Sequence, residues 1–213
     1  MGVYKQGILG GFSGKVGTVV GSFWKGICTM RALAASVSQP NSPAQLEQRA
    51  KFKAAIDFLK PLTAFLRVGF KSQAIKMTEF NAAMRYTIAN AITGAYPVFD
   101  IDYSKALVSC GNLTGALNPV AAAVAGVGID FTWDDNSQSA GALPDDKVLL
   151  VVYNPAKQLA ISVEAGNTRV SGAQSVNLPS FFEGDEVQCY IGFQNANQSV
   201  VSNSQYVSSL VVL

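Results

Sequence analysis

Hydrophobic and polar positions divide the chain into three stretches of different period. In the first, small, β-branched and aromatic residues are interrupted by glycines. Lys15 to Ser22 and Ile27 to Leu33 read as the two strands of a hairpin. Trp24-Lys25-Gly26 supplies the turn, because Gly26 can take a positive φ. Ala34 to Asn41 is polar and predicts an extended connection.

From Ser42 the period becomes helical. Ser42 can cap a helix, Pro43 suits its first position, and Gln45 completes a capping box. Phe52, Ile56 and Leu59 then fall on one face, with Arg49, Lys53 and Lys60 toward water. Pro61 should kink or end that helix. Leu62 to Val68 predicts a short second helix stopped at Gly69. Thr78 to Ile92 predicts another, with Thr78 as its cap, Phe80, Met84, Ile88 and Ala91 on its apolar stripe, and Gly94 as its stop.

After Val98 the period is that of strands. Val127, Ile129, Phe131 and Trp133 alternate with small or polar residues, and so do Val187, Cys189, Ile191 and Phe193. Val148 to Tyr153 is almost continuously apolar, Leu159 to Val163 is short, and Tyr206 to Leu213 closes the chain. Turn signals such as Asn154-Pro155, Gly166-Asn167 and Glu183-Gly184-Asp185 separate these runs, the pattern of a β-sandwich.

Composition sharpens this picture. With 213 residues, 49% hydrophobic and 14% charged, the chain can bury a substantial core. It has no histidine, which excludes Ser-His-Asp and Cys-His machinery and His-ligated metals. Cys28, Cys110 and Cys189 are odd in number and far apart, so they read as buried thiols rather than a disulfide or zinc framework. No run of about 18 apolar residues predicts a membrane span. The glycine-broken start makes a poor signal peptide, which places synthesis in the cytoplasm.

The formal net charge of +2 conceals a division. Residues 1–109 carry 13 basic side chains against five acidic, and residues 110–213 carry three against nine. Halves of opposite sign point to a nucleic-acid patch or to contact between unlike surfaces.

The chemistry of the glycine-rich start follows from spacing. A phosphate loop would need glycine where Leu9 stands and a hydroxyl where Val16 stands, so Gly14-Lys15 is not one. Gly11, Gly14, Lys15, Gly17, Gly21, Trp24, Lys25 and Gly26 read instead as an arm ordered by assembly. Lys5, Lys15, Lys25 and Arg31, with aromatic residues between them, could meet nucleic acid or an acidic partner. Asp134, Asp135, Asp145 and Asp146 read as an exposed acidic loop without EF-hand spacing.

Three resemblances add to this. Trp133, the strand Asp146 to Tyr153, and Leu178-Pro179 before the Val187 strand are similar to a fibronectin type III or immunoglobulin-like domain, which implies a scaffold. The run Gly7 to Gly21, Trp24-Lys25-Gly26 and Arg31, with Trp133, Asp146 to Asn154, Gly184-Asp185 and Ser204-Gln205-Tyr206, resembles an uncharacterised family of short Bacteroidota proteins. Gly26, Arg31, Pro40-Asn41-Ser42-Pro43, Gln45, Arg49 and Phe52 resemble some phage and prophage structural proteins.

The expectation is an α+β protein. A Gly-rich arm and hairpin (1–41) precedes a helical region (42–104) and an antiparallel Ig/fibronectin III-like sandwich (105–213). The expected role is a non-enzymatic structural protein that self-assembles head to tail, in a phage-like virion or filament. It takes no cofactor or metal and does not insert in a membrane. A nucleic-acid-binding module and an Ig-like protein- or glycan-binding domain are the alternatives.

Overall fold

The computed structural model describes residues 3–4, 10–36 and 42–213, and the chain divides into two compact units, Met1–Leu46 and Glu47–Leu213. Part of the expected extended connection, residues 37–41, lies outside the described residues.

The first unit is an antiparallel meander of β1 (Val3–Tyr4), β2 (Phe12–Val16), β3 (Val19–Trp24) and β4 (Ile27–Ala32), in that order across the sheet. The expected hairpin is its second half. Lys25 and Gly26 both have positive φ, 44° and 83°, which matches the right-handed twist of the flanking strands. The expected strand Lys15 to Ser22 is in fact two strands. Val16 pairs with Val19, and Gly17, at φ 57°, opens a two-residue turn between them. The β-branched neighbours hid that turn, and a glycine is what the left-handed position demands.

The first helix, α1 (Pro43–Leu59), starts as expected. The Gln45 N–H donates to Ser42 Oγ at 3.3 Å, and the Ser42 N–H reaches back to Gln45 Oε1 at 3.4 Å. Pro61 sits in a single 3₁₀ turn, Lys60–Leu62, that leads into α2 (Thr63–Gly69). Gly69 does not act as a left-handed cap. It is buried in the last turn, where a Cβ would run into the Val108 carbonyl and sit 3.0 Å from Ser109 Cβ. α3 (Glu79–Asn90) is capped by Thr78 Oγ1, which accepts from the Asn81 N–H at 3.1 Å. Its expected stop, Gly94, lies instead in a hairpin of β5 (Ile92–Ala95) and β6 (Val98–Ile101).

The remaining strands are β7 (Leu117–Val124), β8 (Gly128–Asp134), β9 (Lys147–Asn154), β10 (Leu159–Val163), β11 (Ala173–Asn177), β12 (Glu186–Gln194) and β13 (Gln205–Val211). They form sheets β11-β8-β7 and β10-β9-β12-β13. Lettered A, B, C, C′, E, F and G in chain order, they follow the A-B-E and C′-C-F-G strand order that a fibronectin type III sandwich has. The chain is thus α+β, as expected.

The helices, expected as a region of their own, pack on the sandwich, and β9 takes part in two hydrophobic clusters, one on each of its faces. Val148, Leu150 and Val152 of β9 pack with Ile129, Phe131 and Trp133 between the two sheets. Leu149, Val151 and Tyr153, on the other face of β9, pack with Phe58, Leu59, Leu62 and Leu66 of the helical region. Helices therefore cover the outer face of the four-stranded sheet, giving three layers. That is why β9 is continuously apolar: it is buried on both faces. It also turns α1. Ala55, Phe58 and Leu59 face the sheet, while Phe52 and Ile56, expected inside, are 43% and 40% exposed. Phe58 meets Tyr153 edge-on at 5.1 Å and Tyr103 at 5.9 Å between ring centroids. No helix among the described residues is long and apolar enough to cross a membrane.

Candidate functional site

The amino-terminal sheet gathers the residues expected to form an assembly arm. Pairing fixes its two faces, because residues directly opposite in an antiparallel ladder point the same way. Lys15, Val20 and Arg31 are aligned across β2, β3 and β4. Trp24 and Ile27 lie on that same face, with the Ser22 and Thr29 hydroxyls 2.5 Å apart between them. Lys25, at the turn, holds its Nζ 5.5 Å from the centre of the Trp24 ring. The opposite face carries Val16, Val19, Phe23, Cys28, Met30 and Ala32 around Gly14 and Gly21, and among the described residues it carries no charge.

Both faces carry exposed side chains. Phe23 and Met30 are 63% and 71% exposed on the apolar face, and Trp24 is 48% exposed on the basic one. The glycines expected to let another backbone approach serve this sheet first. A Cβ on Gly21 would lie 2.7 Å from the Phe12 ring, and one on Gly11 would lie 2.7 Å from Cys28 Sγ. Gly17 and Gly26 are at the turns, where nothing lies within 4 Å of a would-be Cβ. Lys5, the remaining expected cation, lies outside the described residues.

The expected acidic loop is not one surface. Asp134, Asp135 and Asp145 are exposed. Asp134 ends β8 and accepts from Asn118 Nδ2 at 2.8 Å. Asp135 accepts from the Ser137 N–H at 2.9 Å, which holds its carboxyl below the usual carboxylate range.

Asp146 is fully buried, contrary to expectation. Its Oδ2 accepts from Arg169 Nε at 3.1 Å, from Arg169 Nη2 at 3.0 Å and from the Leu143 N–H at 2.9 Å. Arg169, also fully buried, donates further to the carbonyls of Thr114 and Gly115 and to Asn136 Oδ1. Its guanidinium lies 3.9 Å from the centre of the Phe193 ring, and the Trp133 indole donates to its carbonyl at 2.7 Å. Burial lowers the pKa of this guanidinium, and Asp146 opposes that shift. The constellation fastens the loops at one end of the sandwich and presents no open site. A signal existed: Arg169 is the one arginine after residue 109.

The second unit has a cavity of about 270 Å³ lined by Phe70, Met77, Arg85, Tyr86 and Cys110 among others. Cys110 is half-buried there, and burial raises its thiol pKa. Cys189 is buried and pushed up to about 12, whereas Cys28 is exposed, which corrects the expectation of three buried thiols. Among the described residues no group of three or more His, Cys, Asp or Glu is placed to hold a metal ion.

No curated protein matches the chain. One family does, over residues 11–208, a span that runs from the meander through the helices to the last strand. The chain belongs to that family, DUF6266, a family of unknown function.

Proposed function

We propose that this protein is a non-enzymatic structural protein that self-assembles through its amino-terminal sheet, as a component of a filament or phage-like particle. The observation that carries the reading is the exposure of that sheet on both faces, Phe23 and Met30 on one and Trp24 and Ile27 on the other. A small sheet in water needs at least one face covered by another layer. Exposed apolar patches of this kind mark interaction surfaces. Opposite charge on the two parts of the chain favours contact between unlike surfaces, and such head-to-tail contact propagates into rings or filaments.

Sedimentation and light scattering of the full, nuclease-treated chain test this. Species well above the 22.5 kDa chain are expected, and exchanging Phe23 and Trp24 for serine should return them to monomer with the thermal unfolding of the second unit unchanged. A wild-type chain that stays monomeric across concentration and salt overturns the reading.

A second reading is favoured by one observation: the sheet places Lys15, Arg31 and Trp24 on one face, with Lys25 Nζ 5.5 Å from the Trp24 ring. It predicts nucleic-acid binding that falls steeply with salt. A gel shift at low salt checks it, and the absence of any shift dismisses it.

A further inference from the structure

A second surface in the molecule matches the basic face of the amino-terminal sheet. The three-stranded sheet of the sandwich buries Ile129, Phe131 and Trp133 inward, so Asp130, Thr132 and Asp134 of β8 point outward. On β7, Val120 pairs with Thr132 and Ala122 with Asp130, and so share that outer face. Leu117 and Val120 are 45% and 56% exposed there. The helical layer covers the other sheet, and on this face Thr132 and Asp134 are exposed. It is an apolar surface carrying two carboxylates. The basic face of the amino-terminal sheet is an apolar surface carrying two cations. Among the described residues no cation pairs with Asp130 or Asp134, and no acid pairs with Lys15 or Arg31.

We infer that the Lys15–Trp24–Arg31 face of one copy docks on the Asp130–Asp134 face of β7 and β8 in a second copy. The inference rests on the self-assembly reading and names its partner surface. Spacing supports it. Lys15 and Arg31 are two strands apart, roughly 10 Å, and Asp130 and Asp134 are four residues apart along one strand, roughly 13 Å. An orthogonal sheet-on-sheet arrangement lays the first line along the second, within reach of the long basic side chains. Val20, in the same row as Lys15 and Arg31, then sits over Thr132 between the two carboxylates. The two surfaces differ, so the contact is heterologous and continues from copy to copy.

Charge reversal tests this on the full chain. Lys15→Glu with Arg31→Glu makes both surfaces acidic, and Asp130→Lys with Asp134→Lys makes both basic. Each double variant should lose association about 100-fold or more, because like charges then face each other. An equimolar mixture of the two should recover assembly, since every contact in it again joins unlike surfaces. Circular dichroism melts establish that each variant folds. Where one does not, the neutral pairs Lys15→Gln with Arg31→Gln and Asp130→Asn with Asp134→Asn replace it, with weakened assembly that no longer depends on salt expected.

Wild-type assembly that persists in both reversed variants places the interface elsewhere; it overturns this inference and leaves the self-assembly reading intact. Reversed variants that remain monomeric when mixed also overturn it. Assembly abolished by nuclease puts nucleic acid on the basic face and overturns it too. A monomeric wild-type chain fails both proposals.

Discussion

Arg169 and Asp146 hold the sandwich at the scale of single residues. Each is fully buried, and Arg169 donates to Asp146, Asn136 and two backbone carbonyls. Taking two charges out of water is costly, and removing one of them leaves the other uncompensated. Arg169→Ala should therefore destabilise the fold by about 3–5 kcal/mol, measured by urea unfolding. Replacing Arg169 with Met and Asp146 with Leu together should cost clearly less. A double variant as unstable as the single one would show that the carbonyls of Thr114 and Gly115, not the charge pair, dominate. The sequence read Asp146 as one of four solvent-exposed acids because local composition alone marks the segment. What buries it is a residue 23 positions away, which no local pattern can announce.

At the scale of elements, caps and turns were legible and faces were not. Ser42, Thr78 and Lys25-Gly26 act through backbone geometry within three or four residues, so their sequence context is sufficient. The side of α1 that goes inside was misread because Phe52 and Ile56 are as apolar as Phe58. The sheet chooses Phe58, by placing Tyr153 and Tyr103 against it. Gly69 is a second case. Its place at a helix end suggests a cap, whereas its surroundings show a packing requirement. Gly69→Ala should cost about 1–3 kcal/mol in thermal or urea unfolding, because the new Cβ must displace the Val108–Ser109 backbone. A neutral or stabilising outcome would mean that the segment gives way easily.

The whole molecule brings four tyrosines together at the layer between the helices and the four-stranded sheet. Burial pushes the Tyr103 phenol up to about 12, with Asp100 and Glu186 adding to it, and burial likewise raises Tyr153, Tyr190 and Tyr206. The Tyr190 hydroxyl donates to the Tyr103 carbonyl at 2.8 Å, tying β12 to the segment after β6. A phenol held above its unfolded value keeps its proton more tightly in the native state. Its contribution is complete below about pH 10 and is lost as pH rises toward 12. Stability should therefore hold to about pH 10 and fall steeply above it. Phenolate absorbance should show these four of the seven tyrosines ionising late, together with unfolding. Four that titrate at the ordinary value in the native protein would contradict the buried layer. Cys28 offers a readout of the other unit. As the exposed thiol on the apolar face of the meander, it should react fastest of the three. A slower reaction in assembled material would show that this face is covered as well.

The sequence by itself determined most of the elements and their order: the meander's second hairpin, three helices, two of them capped, and five strands of a sandwich. These depend on period, caps and turn residues, all of which act over a few positions. It also determined that the chain carries opposite charge on its two parts, since charge needs no coordinates. Only the tertiary structure decided which faces are used. It put the helices on the four-stranded sheet, buried Asp146 beneath Arg169, and aligned Lys15, Trp24 and Arg31 on one face of the amino-terminal sheet. Faces are set by pairings between distant residues, and one register step moves every side chain to the other side.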